Sequence, residues 1–159
     1  MSSILVTGGA GFIGVNAASR FAAAGHRITV LDNLSRRGTE ANLAWLRASH
    51  RVDFVRADVR DASAVEAVVR AARPDVVLHL AAQVAVTTSL VDPRTDFEVN
   101  ALGTFNILDA LRRAAPEAFV VYASTNKVYG RMEEVGGEER NGRYELRDLP
   151  LGVSESQPL

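Results

Sequence analysis

The most constraining stretch of the chain is Thr7-Gly8-Gly9-Ala10-Gly11-Phe12-Ile13-Gly14, which follows the apolar run Ser3–Thr7. The glycines fall in the spacing Gly8-x-x-Gly11-x-x-Gly14. One glycine is needed where the chain turns out of a strand, one where backbone approaches a pyrophosphate, and one where helix and strand pack closely. A helix opening behind such a loop offers free N–H groups and the positive end of its dipole to phosphates. An isolated glycine turn lacks this frame, whereas here a strand precedes and a helix follows. Nucleotide binding by Gly8, Gly11, Phe12, Ile13 and Gly14 is therefore expected.

The rest of the chain alternates in the same way. Helical spacing over Gly11–Ala24 sets Ile13, Ala17, Phe21 and Ala24 on one face, and Gly25-His26 stops it. Strand-like runs follow at Arg27–Leu31, Val52–Arg56, Asp75–Leu80 and Ala118–Tyr122. Helices are expected at Glu40–Ala48, with the single Trp45, and at Asp61–Ala72. In the second, Asp61 is the N-cap and Ala62, Val65, Val68 and Val69 face inward. Pro93–Ala115 reads as one long helix with Phe97, Ala101, Phe105, Leu108 and Leu111 on a stripe. Such alternation implies an α/β fold with a parallel sheet covered on both faces. The polar run Val52–Arg56 suits an edge strand. The expectation is a doubly wound Rossmann-type sheet in the order 3-2-1-4-5. Residues 1–130 form the dinucleotide-binding portion, and 131–159 an irregular loop or hairpin region.

Ligands of such sheets bind beyond the carboxyl ends of the strands. Asp32 ends the second strand, 18 residues beyond Gly14. An acid about 20 residues on binds the adenosine ribose hydroxyls; a plain turn Asp before Asn33 is the alternative. A carboxylate there repels a 2′-phosphate, which favours NAD over NADP, while Arg36 and Arg37 are near enough to reach one. Asn33, Ser35 and Arg36 join the expected cofactor set. Asp58, with Val59, follows the third strand and is read as an acceptor for the adenine amino group or as a loop acid. Leu80, Ala81 and Ala82 follow the fourth strand, where small residues leave room for cofactor. His79 is read as a satisfied strand-end histidine.

The 159 residues have 47% hydrophobic and 23% charged composition, as a globular domain does. Net charge is −1 with the signs interspersed, which argues against nucleic acid as a partner. No apolar run approaches a membrane span, and the opening residues do not read as a secretory signal. The absence of cysteine excludes a disulfide frame, a thiol nucleophile and a thiolate metal site. No metal is expected, and the chain reads as cytoplasmic. All but one of its eighteen basic residues are arginines; the exception is Lys127.

Together these residues resemble the extended short-chain dehydrogenase/reductase superfamily, in its nucleotide-sugar epimerase/dehydratase branch. The segments that carry the resemblance are Thr7–Gly14, Leu31–Leu34, Ala57–Arg60, His79–Ala82, Phe97–Asn100 and Ser124–Gly130. The resemblance implies that Asn100 and Ser124 lie by the cofactor and that Thr125 is catalytic. In dTDP-sugar dehydratases of the branch an acidic pair follows the catalytic Thr. Here Asn126 and Lys127 stand there, so the elimination lacks its acid/base agents. The run Ser124–Gly130, with Asn33–Leu46 and Ala82–Leu90, is instead similar to the CDP-paratose 2-epimerase (CDP-tyvelose 2-epimerase) family. That similarity implies NAD-dependent oxidation of a CDP-sugar at C2, then reduction from the other face. Thr125 would hydrogen-bond the reacting oxygen. Gln83, Thr87, Ser89, Asn126 and Lys127 are the candidate sugar contacts, although loop polarity alone accounts for the first three and a solvated loop for Lys127.

The superfamily also uses a Tyr-x-x-x-Lys pair on a helix after the fifth strand. Tyr122, Tyr129 and Tyr144 are followed four residues on by Asn126, Glu133 and Asp148, so no such pair exists here. The expectation is an N-terminal fragment, cut before the catalytic helix, later strands and substrate domain, and inactive alone. Its apolar fifth strand would then be an open edge, so self-association into a homo-oligomer is expected. A non-catalytic NAD-binding module and a sister UDP-sugar 4-epimerase are the alternatives.

Overall fold

The computed structural model describes residues 1–130, 132, 135–147, 149 and 152–156, without the side chains of Asn126 and Lys127. The chain forms two compact units, Met1–Ala123 and Ser124–Leu159.

The first unit is built as β1 (Ser3–Thr7), α1 (Phe12–Ala23), β2 (Arg27–Asp32), α2 (Thr39–Ser49), β3 (Asp53–Arg56), α3 (Ala62–Ala72) and β4 (Val76–His79). Two short helices follow, α4 (Val86–Val91) and α5 (Pro93–Phe97). A π-helical turn over Glu98–Leu102 leads into α6 (Gly103–Ala114), and β5 (Phe119–Tyr122) closes the unit. The five strands are all parallel, in the order β3-β2-β1-β4-β5. This is the doubly wound order expected from the alternation.

Strand periodicity divides the core between the two faces. Ile4 and Val6 point to one side with Ile28 and Val30, against Val15 and Ala18 of α1 and Leu46 of α2. Leu5 points to the other with Leu31 and Val77, against Val65, Val68 and Val69 of α3 and Ile107, Ala110 and Leu111 of α6. Asp61 caps α3, its carboxylate accepting from the Ser63 and Ala64 N–H groups at 3.0 Å each.

Three helix faces differ from the sequence reading. In α1 the buried residues are Gly14, Val15 and Ala18, while Ile13 is exposed. The tight glycine loop turns Gly14 toward Gly8, and this rotates the core-facing stripe. In α3 Ala62 is exposed, because it lies in the first turn at the open end of the helix. The expected single helix over Pro93–Ala115 is broken by the π-helical turn. α6 buries Gly103, Asn106, Ile107, Ala110 and Leu111, leaving Phe97, Phe105 and Leu108 exposed. Close approach selects small residues here: a Cβ on Gly103 would stand 2.7 Å from Val59 Cγ2. Asn106 is admitted to the core because its amide donates to the Val59 and Arg60 carbonyls, at 2.9 and 3.1 Å.

The second unit holds a 3₁₀ turn over Asn126–Tyr129 and an antiparallel hairpin of β6 (Gly137–Arg140) and β7 (Arg143–Leu146). Asn141 and Gly142 join these strands with φ of +53° and +77°. That is the backbone a two-residue hairpin loop requires, and Asn-Gly supplies it at little cost.

Candidate functional site

The strand register brings the chemistry to the carboxyl end of the sheet. Thr7 pairs with Leu31 and His79, and His79 with Tyr122. The loops after β1, β2, β3 and β4 all leave from that edge.

At the glycine loop, Gly8 has φ of +65°, and a Cβ there would lie 2.8 Å from the Ala81 nitrogen. A Cβ on Gly14 would run into the Gly8 carbonyl oxygen and lie 2.6 Å from the Gly9 Cα. Both positions need glycine because backbone occupies the space a side chain would fill. The Gly11 N–H donates to Gly8 O at 3.0 Å, and the Val15 N–H donates to Gly11 O at 2.9 Å. The N–H groups of Phe12, Ile13 and Gly14 thus lie ahead of the first helical hydrogen bond. The Phe12 and Ile13 side chains are exposed beside them. This end of a 12-residue helix fits an anionic diphosphate.

Asp32 is buried at the end of β2, one carboxylate oxygen accepting from Ala10 N–H at 3.0 Å and the other from Leu34 N–H at 2.8 Å. It is therefore a turn residue that also ties β2 to the glycine loop, with lone pairs to spare. Asn33 accepts from Ser35 N–H and donates to Asp58, at 3.0 and 2.9 Å. Arg36 reaches across the mouth to Gln83 Oε1 at 3.0 Å.

Asp58 is held by a two-pronged Arg60 guanidinium, at 2.9 and 2.8 Å, with the Arg60 N–H at 2.9 Å. With the Asn33 amide, these donors occupy about all four of its lone-pair positions. The Arg60 bonds hold the Asp58 carboxyl far below the usual carboxylate range, against an opposing effect of burial. An adenine amino group at Asp58 would have to share or displace one of these donors. Val59 is buried beside it.

A polar chain not anticipated from the sequence runs under the loops. Thr7 Oγ1 accepts from the Leu80 and Ala81 N–H groups, each at 3.2 Å, so its own hydrogen goes to His79 Nδ1 at 2.7 Å. Thr104 donates to the Asn100 carbonyl at 2.6 Å and so accepts from His79 Nε2–H at 3.0 Å. His79 is therefore neutral with its proton on Nε2, and burial pushes its pKa below the ordinary 6.5. The Tyr122 ring lies 5.8 Å from it, beside a cavity of about 140 Å³ lined by both rings and by Thr104, Ile107, Leu108 and Val120.

Asn100 lies in the π-helical turn, a feature frequent at functional sites. Its amide oxygen accepts from Gln83 N–H at 2.9 Å, and its NH₂ donates to Gln83 O at 3.0 Å and to Asp96 at 3.1 Å. Ser89 donates to the same Asp96 oxygen at 2.6 Å. Thr87 and Ser89 lie on α4, and Thr87 and Ala82 are exposed. The first unit thus gathers the glycine loop, Asp32, Asn33, Asp58, Leu80–Gln83 and Asn100 along one edge. Ser124 and Thr125 belong to the second unit, where the Thr125 carbonyl accepts from Val128 N–H at 3.4 Å. Asn126 and Lys127 lie in the 3₁₀ turn, with side chains outside the described residues.

Comparison with known proteins bears on the same edge. The family model of GDP-mannose 4,6 dehydratase matches residues 5–146. The chain belongs to this family. It is 43% identical over 156 residues to the CDP-paratose 2-epimerase of Salmonella typhi, covering 98% of this chain and 46% of that protein. With a UDP-glucose 4-epimerase of Mycolicibacterium smegmatis it shares 40% over 126 residues, covering 79% of this chain and 40% of the other. Among solved structures, the Thermus thermophilus UDP-glucose 4-epimerase in complex with NAD superposes with a TM-score of 0.70 at 38% identity, covering 98% of this chain and 43% of that one. The UDP-Glc/GlcNAc 4-epimerase of Campylobacter jejuni gives 0.79 at 29% identity, covering 100% and 43%. The family agrees with the resemblance read from the motifs, and the chain spans about half the length of the curated relatives it matches.

Proposed function

We propose that the chain is the dinucleotide-binding portion of a cytoplasmic, NAD-dependent nucleotide-sugar epimerase of the CDP-paratose 2-epimerase type. The observation that carries this reading is the 43% identity with the Salmonella enzyme over 98% of the chain. The glycine cradle supports it, since backbone fills the space that side chains at Gly8 and Gly14 would take.

NAD, when bound, would supply reversible hydride acceptance for oxidation and re-reduction at C2 of the sugar. The chain's own residues bind and orient. The N–H groups at the start of α1 hold the pyrophosphate. Asp32 accepts from the ribose hydroxyls with the lone pairs left over from Ala10 and Leu34, and its charge disfavours a 2′-phosphate. Asp58 and Val59 flank the adenine. Leu80, Ala81 and Ala82 leave room for the cofactor, and Asn100 holds the Gln83 peptide beside it. Ser124 joins the cofactor contacts, and Thr125 hydrogen-bonds the reacting oxygen. Gln83, Thr87 and Ser89 are the candidate CDP-sugar contacts, joined by Asn126 and Lys127 from their place in the family motif. Phe97, Phe105 and Leu108, exposed together, form a face for a second copy.

The sequence contains no Tyr-x-x-x-Lys pair, and a missing general base costs about 10²–10⁴ in rate. The chain by itself is therefore expected to bind NAD without turning over CDP-paratose. Calorimetric titration with NAD and NADP, followed by product analysis with CDP-paratose and UDP-glucose, tests this. NAD binding tighter than NADP, without turnover, is the expected result. A folded chain that binds neither dinucleotide overturns the cofactor reading, and turnover by the chain overturns the expectation that it lacks a catalytic base. Recurrent similarity to UDP-glucose 4-epimerases favours a sister 4-epimerase as the second reading, which activity toward UDP-glucose would support.

A further inference from the structure

Little of the segment Asn33–Leu46 is demanded by nucleotide binding in general, yet one of its side chains reaches the glycine loop. Asn42 Nδ2 donates to the Ala10 carbonyl at 2.9 Å. Ala10 is fully buried, and its N–H is taken by Asp32. Both polar groups of this loop residue are thus satisfied by side chains from other elements.

The next peptide explains why this matters. A trans peptide points its C=O and N–H in opposite directions, and no cis bond occurs among the described residues. In the Ala10–Gly11 peptide the C=O goes to Asn42, and the N–H goes to Gly8 O at 3.0 Å. Turning this peptide over changes only the ψ of Ala10 and the φ of Gly11. Glycine tolerates either sign of φ, so the loop's own covalent structure does not resist the turn. Asn42 does, because a turned peptide leaves the Ala10 carbonyl without its buried partner and faces it toward Gly8 O. Gly11 is the N-cap of α1, so its conformation sets the direction of the N–H groups that follow.

Asn42 is itself firmly placed. Its N–H donates to Gly38 O at 3.0 Å, Gly38 entering α2 with φ of +91°. Thr39 Oγ1 closes the turn onto Arg36 O at 2.7 Å, and Leu43 and Leu46 anchor the helix in the core.

We infer that Asn42 is a positioning residue, holding the Ala10–Gly11 peptide so that the start of α1 is set to receive the diphosphate of a dinucleotide before it arrives. The inference rests on the proposed NAD site for its ligand, but the lock is a property of the ligand-free chain. Asn42→Asp is the cleanest test, since it keeps the size and removes the donor; Asn42→Ala is the second variant. In both, amide hydrogen exchange of Gly11 and Val15, whose N–H groups are bonded to the Gly8 and Gly11 carbonyls, should rise at least several-fold in the ligand-free chain, with exchange in β1 and β2 unchanged. NAD and ADP-ribose should bind roughly tenfold more weakly. Adenosine, which lacks the diphosphate, should bind as it does to the wild type. Unchanged loop exchange in both variants overturns the inference, whatever the binding data. So does a loss spread equally over adenosine and NAD with exchange rising throughout, which would mark Asn42 as a general support of α2. A wild-type chain that does not bind NAD overturns the proposed cofactor, and the exchange data then decide the lock alone.

Discussion

At the scale of single residues, the site is made mainly by groups that cannot be larger or charged. Gly14→Ala would place a methyl group against the Gly8 carbonyl and the Gly9 Cα, both backbone and unable to swing away. A loss of about 1–3 kcal/mol of stability and of measurable NAD binding is expected, read by thermal melting and titration. His79 makes the complementary case. Its neutral form completes the chain from Thr7 to Thr104, whereas a second proton on Nδ1 would meet a Thr7 hydrogen already pointing there. With the folded pKa below the ordinary 6.5, the contribution of neutral His79 is fully present above that pH. It is lost as pH falls through 6.5 toward the folded value, because the unfolded chain takes up the proton first. The slope reaches up to about 1.4 kcal/mol per pH unit. Urea unfolding between pH 8 and 5 should show this fall in the wild type and a weaker one in His79→Gln. The glycines and Asp32 were legible as a pattern because their spacing follows from backbone geometry. The role of Asn42 was not, since a side chain reaching a loop 32 positions away leaves no local period.

At the scale of elements, apolar periodicity located nearly every helix and strand but misassigned inward residues on three helices. Bulky residues were read as core on the long helix, yet the π-helical turn shifts the register and α6 meets its neighbours through Gly103 and Ala110. The stripe of Phe97, Phe105 and Leu108 is left facing outward, with Phe105 62% exposed. Phe119 and Tyr122 of the edge strand β5 are exposed as well. Apolar surface of this kind favours association of copies. Replacing both Phe97 and Phe105 by Glu should shift the chain toward monomer in sedimentation velocity without lowering its melting temperature, because both side chains are mostly exposed. Unchanged sedimentation would assign self-association to another face. Asn106 shows the complementary case: a polar residue outside the apolar stripe is buried because two carbonyls receive its amide.

At the scale of the whole molecule, the expected separation of cofactor binding from turnover follows from what the chain contains. The first unit brings the loops of four strands to one edge, while Thr125, the proposed catalytic threonine, belongs to the second unit. The parallel order β3-β2-β1-β4-β5 was determined by the sequence itself. Alternating strands and helices leave few topologies that bury both faces of a sheet without crossing connections. The glycine spacing likewise determined where the proposed phosphate cradle lies. Tertiary structure alone decided which polar groups speak to one another: Asp32 and Asn42 on Ala10, Arg60 on Asp58, Asn100 on Gln83, and His79 between two threonines. Periodicity records which face of an element avoids water. A hydrogen bond between distant elements depends instead on a few tenths of an ångström in how those elements pack, and that is set by the assembled core.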